Sequence, residues 1–168
     1  GISATILDSV TVNMSSDAVS GIDILQGHHE FSELEVNMPF NQYETGSTGI
    51  EAWWCSIDSD EVTVNGFANS FELYESMAEF DDLNLLDSSE QGLYASSSMV
   101  HVSDSLVTKV SDAGLYMVSS SAVLRTWDAS YHEDGSVIDA DSKVTVWSMT
   151  STSNLDSDST GDGILNYG

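Results

Sequence analysis

The chain has 168 residues, with 28 Asp and Glu against three bases, Lys109, Arg125 and Lys143, for a formal net charge of -25. So little positive charge excludes a partner gripped through its phosphates, hence nucleic acid, and an anionic membrane surface repels it. With 40% hydrophobic residues the chain is not composed like a disordered acidic tail, and its length suits one domain with its own core.

The charge also bears on solvent. Like charges at this density repel at a Debye length of about 8 Å and are largely relieved near 1 M salt, where that length is about 3 Å. Scarce lysine with abundant Asp, Ser and Thr is the expected surface of a protein that folds in concentrated salt. No apolar run approaches the roughly 18 residues of a membrane span, and Gly1 is what removal of an initiator Met or of a leader leaves.

In chain order, β-rich segments run over residues 6–13, 31–38, 50–57, 61–67, 93–102, 106–110, 115–127 and 143–150. Leu34, Val36 and Met38 alternate with Glu33, Glu35 and Asn37, the period of a half-buried strand. Turn signals stand between segments at Gly46–Gly49, Asn65–Gly66, Asp112–Gly114 and Glu133–Gly135. About eight strands at this spacing read as an antiparallel β-sandwich or jelly-roll barrel. Residues 72–84 are compatible with one short crossing helix, through Leu73, Met77 and Phe80, and equally with a strand and a loop. The Val-Thr-Val triplets at Val10, Val62 and Val144 have different flanks and read as strand composition, not as a repeat. Domain boundaries follow: a β domain over 1–150 with a short N-terminal arm, and a Ser/Asp-rich C-terminal arm over 151–168.

Few residues suggest chemistry. Asp156, Asp158, Thr160 and Asp162 alternate oxygen donors before Gly163, as a Ca²⁺ loop does, but Tyr167 stands where an EF-hand needs a bidentate Glu. His28-His29-Glu30 sets adjacent imidazoles on opposite faces of a strand, so they read as polar loop residues before a zinc site. His101 with Asp104 and Ser105, and His132 with Asp128 and Ser130, are coincidences expected of a serine-rich chain without a nucleophile elbow. Asp58, Asp60 and Glu61 read as a charged hairpin turn, and Cys55 as a buried thiol. Trp53, Trp54, Trp127 and Trp147 raise sugar stacking, although of two consecutive Trp in a strand only one need be exposed. No catalytic signature emerges, and the expectation is a protein that is not an enzyme.

The strand spacing, seen in Glu61–Phe67 and Lys143–Thr150, the Asp and Ser surface and the Gly1 start together resemble the small single jelly-roll coat proteins of icosahedral viruses of halophilic archaea. The resemblance implies an eight-stranded barrel in a virion capsid shell, with copies of itself and a second coat protein as partners and no direct membrane insertion. The alternative is a secreted or cell-surface sandwich that binds carbohydrate or forms an extracellular filament.

Overall fold

The structure, a computed structural model, describes residues 4–15, 19–39, 46–110, 112–130, 134–152 and 165–166. These form 13 strands: β1 (Ala4–Leu7), β2 (Val10–Asn13), β3 (Ser20–Asn37), β4 (Thr48–Asn65), β5 (Asn69–Tyr74), β6 (Met77–Leu86), β7 (Leu93–Ser96), β8 (Met99–Thr108), β9 (Ala113–Val118), β10 (Ser121–Ser130), β11 (Asp134–Ile138), β12 (Lys143–Thr152) and β13 (Leu165–Asn166). Every pairing among them is parallel. Each strand lies beside the segment one coil further along: β5 on β7 on β9 on β11, and β4 on β6 on β8 on β10 on β12. From β4 onward the chain returns to the same wall every 21 or 22 residues, with consecutive returns hydrogen-bonded, which makes it a parallel β-solenoid.

Each coil has three flat segments. Along β6, Ala78 and Phe80 are buried between exposed Met77, Glu79 and Asp81; then Asp82 is also exposed, and Leu83 and Leu85 resume the interior. The extra outward residue bends the strand, as a bulge does. It recurs one coil earlier, where Asp60 and Glu61 are both exposed, and two coils later at Arg125 and Thr126. The first face is thus the wall of β5, β7 and β9, the second opens β6, β8 and β10, and the third closes them. Identical positions stack into columns. Val36, Val64, Leu85, Val107 and Ala129 are successive partners in one interior column, all fully buried.

The corner between the first and second faces turns on a residue of positive φ: Trp54 (53°), Glu75 (48°), Ser97 (52°) and Ser119 (49°). Side chains seldom adopt that region, so something must hold it. The next residue does. Ser76, Ser98 and Ser120 are buried, and each hydroxyl accepts the backbone N–H of its equivalent one coil back: Cys55 N to Ser76 Oγ at 3.2 Å, Ser76 N to Ser98 at 3.1 Å, Ser98 N to Ser120 at 2.9 Å, Ser120 N to Ser142 at 3.0 Å. Each of the three also donates across its own turn, to Tyr74 O, Ser96 O and Val118 O respectively. Where the first and third faces approach, no side chain fits: a Cβ on Gly92 would stand 2.5 Å from Gly114 O and 2.9 Å from Val107 Cγ1.

The antiparallel sandwich or jelly roll is therefore overturned, because the residues that signal reversals make corners and every strand pair is parallel. No helix occupies 72–84, which is the end of β5, a corner and β6. The triplets at Val10 and Val62 occupy equivalent places, since Val10 pairs with Leu34 and Leu34 with Val62. Position 150 falls within β12, and Leu165–Asn166 pair with β11.

Stacking also aligns like charges. Glu33, Glu61, Asp82 and Asp104 are successive partners on one exposed column, and Glu30, Asp58 and Glu79 on another. Neighbours at the ~4.8 Å coil spacing repel by about 1 kcal/mol each in water without salt. Asp82→Asn is expected to raise the melting temperature in dilute buffer, with the gain shrinking as salt approaches 1 M; thermal denaturation at several salt concentrations measures it. Ser98→Ala deprives the Ser76 N–H of its acceptor and is expected to cost about 1–3 kcal/mol, or several degrees of melting temperature. Cys55→Ser, which extends the hydroxyl column, is expected to leave stability equal or higher in the same assay.

Candidate binding groove

The serine corner opens outward as a groove along the solenoid axis, with a volume of about 630 Å³. One rim is the column of left-handed residues, Trp54, Glu75, Ser97 and Ser119, continued by Asp141. The other is the first column of the second face, Met77, Met99, Ser121 and Lys143. The groove thus carries an indole at one end, Glu75, Met77, Met99, Ser97, Ser119 and Ser121 along its length and an Asp and a Lys at the other, over a floor of buried serines.

Trp54 is 51% exposed and Trp53 also faces outward. The expected opposition of consecutive Trp fails because the positive φ of Trp54 interrupts the strand's alternation at the corner. Trp53 instead begins an aromatic ladder on the first face. Its ring stacks on Tyr74 with centroids 4.0 Å apart and planes 13° apart; Tyr74 meets Tyr94 at 5.5 Å, and Tyr94 meets Tyr116 at 5.8 Å. Trp53 covers one face of Tyr74, Tyr94 and Tyr116 stack at 26°, and the two pairs meet at a tilt of 49°, so this ladder is not an open sugar platform. It holds the coils together, each contact worth about 0.5–1.5 kcal/mol. Of the remaining Trp, Trp127 is fully buried and Trp147 is 74% exposed beneath Arg125, whose Cζ lies 5.9 Å from the ring centroid. The indole free to face a ligand in the groove is Trp54.

Elsewhere the sequence candidates scatter. His28 and His29 lie within β3, not in a loop: His28 Nδ1 is 2.7 Å from Ser56 Oγ and its Nε2 is 3.0 Å from Glu30 Oε1, while His29 is buried on the opposite face. His101 sits 3.3 Å from Glu79, and Ser105 is buried and donates to Thr126 O at 3.2 Å, so no triad forms. Asp58, Asp60 and Glu61 lie mid-strand in β4, not in a hairpin turn. Cys55 is buried with its thiol 3.7 Å from Ser76 Oγ, and burial pushes its pKa up. The Ca²⁺ loop residues Asp156, Asp158, Thr160 and Asp162 lie outside the described residues, as does His132. Among the described residues no group of three or more His, Cys, Asp or Glu gathers in a geometry that holds a metal ion.

The fold defines the class, a small acidic parallel β-solenoid with an axial groove. No family model, curated protein or solved structure matches the chain.

One carboxylate beside the ladder is out of balance. Burial, with Glu51 and Glu90 nearby, pushes the Glu72 pKa up despite the 2.9 Å hydrogen bond from Tyr74. Burial and the same Glu72 push the Tyr74 phenol up as well. A raised carboxyl pKa means the folded state binds more protons than the unfolded chain, so stability falls as pH rises out of the ordinary carboxylate range. Glu72→Gln is expected to melt higher than the parent at neutral pH, with the difference closing as pH falls below that range; melting curves across pH check it.

Proposed function

We propose that this chain is a non-enzymatic surface module, stable in concentrated salt, that binds an uncharged linear glycan along the serine corner. The observation that carries this reading is Trp54, half exposed at the head of a groove lined further along by the accessible hydroxyls of Ser97, Ser119 and Ser121. The coil spacing of ~4.8 Å is comparable to the length of one pyranose ring, so successive sugars fall on successive coils. An aromatic face with a few placed polar groups is the usual composition of such sites. The net charge of -25 disfavours polyanionic glycans.

In calorimetric and NMR titrations with neutral oligosaccharides, affinity is expected to rise with length until about four or five rings span the five coils of the groove. Trp54→Ala is expected to weaken binding by about 3- to 10-fold, the loss of one ring contact. Amide shifts away from Ser97, Ser119 and Ser121, or unchanged affinity in Trp54→Ala, would sink the reading.

A second reading, a structural subunit of a virion or filament, draws on the uneven charge along the stack. Lys109, Arg125 and Lys143 all lie in its later coils, while the carboxylate columns begin in β3 and run no further than Asp104 in β8, so the acidic excess falls along the stack. An end of weaker negative charge that carries the bases meets a strongly acidic end with less repulsion than two strongly acidic ends meet each other, which favours head-to-tail contact between copies. Sedimentation of the same samples without glycan distinguishes the two, since only the subunit reading requires large particles.

A further inference from the structure

The second face carries an unusual cluster beside the groove. Met77 and Met99 are direct partners in adjacent coils, 57% and 56% exposed on a surface otherwise dominated by Ser, Asp and Glu. Thioethers so placed add nothing to the core. In the next outward column Glu79 and His101 are partners as well, so two methionines, an imidazole and a carboxylate occupy neighbouring places on one flat sheet. All four line one cavity of about 330 Å³.

The two histidines at this cavity differ. His28 has both ring nitrogens engaged, by Ser56 and Glu30. His101 has Glu79 3.3 Å from Nδ1, while its Nε2 is shielded from solvent and has no hydrogen-bond partner. An imidazole oriented by a carboxylate through one nitrogen, with the other uncommitted, is the arrangement that second-sphere partners impose on metal-binding histidines. Thioether sulfurs are soft donors that select Cu(I) over hard cations. Strand partners stand ~4.8 Å apart, and the flexible Met side chains reach along the sheet toward a residue two places on.

We propose that Met77, Met99 and His101 form a three-donor site for Cu(I), with Glu79 as the residue that positions His101. Nothing is oxidised or reduced in the binding step: a neutral imidazole and two neutral thioethers replace the ligands that carry the ion in solution. Cys55, the other soft donor, is buried and bonded to Ser76, and it is not part of the site.

The test is an anaerobic titration of the full chain with Cu(I) against a chromophoric chelator, in sulfate salt so that chloride does not compete. The expected result is one chelator-resistant equivalent, with shifts confined to two of the six methionine methyl resonances. Met77→Leu with Met99→Leu, a nearly volume-conserving change that keeps the fold by circular dichroism, is expected to abolish binding. Glu79→Gln is expected to weaken binding by about 10- to 100-fold. Zn(II) at equal concentration is expected not to displace the ion. Absence of chelator-resistant binding, retention of it in the double Leu variant, or its loss in Cys55→Ser would each overturn the proposal. Because no glycan is present, failure here leaves the groove reading standing, and the reverse also holds.

Discussion

Everything in this molecule depends on keeping one coil in register with the next at the corners, where a parallel ladder is most easily broken. A left-handed residue carries the chain around, and its neighbour's N–H would face the interior without an acceptor. The hydroxyls of Ser76, Ser98, Ser120 and Ser142 supply that acceptor, coil after coil. Buried amides left unpaired are costly enough to decide between folds, so the serines are structural rather than solvating at these places. Among the described residues the buried polar side chains are mostly serine, with His29 and Thr48 beside them, which shows how much serine the coil geometry consumes.

The same register sorts side chains into those that gain by repetition and those that suffer from it. Aliphatic columns fill the interior, and Trp53, Tyr74, Tyr94 and Tyr116 convert it into stacking energy on the first face. Carboxylates on the second face and at the bend that ends it are driven together by it. A solenoid cannot spread one repeated charge as a sandwich would, so the acidic composition is felt here as pairwise repulsion at fixed distance. Lys109 relieves it at one corner, 3.1 Å from Asp87. The rest is left to dissolved ions, and the balance between aromatic gain and carboxylate loss therefore shifts with the solvent.

The β character of the chain was legible because alternation is strong within each flat segment; Leu34, Val36 and Met38 all point inward as their pattern requires. Strand direction was not legible. Asn65–Gly66 and the serine pairs bend the chain equally well into a hairpin or a corner, and only long-range register tells which. The helix-like spacing over 72–84 has a physical origin in those corners. Buried residues fall at 71, 73, 76, 78, 80, 83 and 85, where each corner or bend turns a step of two into a step of three; Leu73 and Phe80 belong to that mixture, while Met77 between them is exposed. The repeat is hidden in the sequence for a related reason: columns keep size and polarity loosely, so Val62 answers to Leu83 and Ser76 to Cys55 without any shared string. Of the groove, the aromatic and hydroxyl groups were visible, but the left-handed turn that exposes Trp54 beside Trp53 was not.

The step between coils has one more implication. It is 22 residues at Ser76 to Ser98 but 28 at His28 to Ser56, and the stacked faces are equally regular in both. In the longer step the surplus falls in the sequence between Asn37 and Thr48, outside β3 and β4, while the paired walls keep their count. Height along the axis is therefore digital: it changes by whole layers or not at all, and a gene encoding such a fold can be lengthened by copying one layer, whereas a single residue gained within a wall turns a whole face inside out.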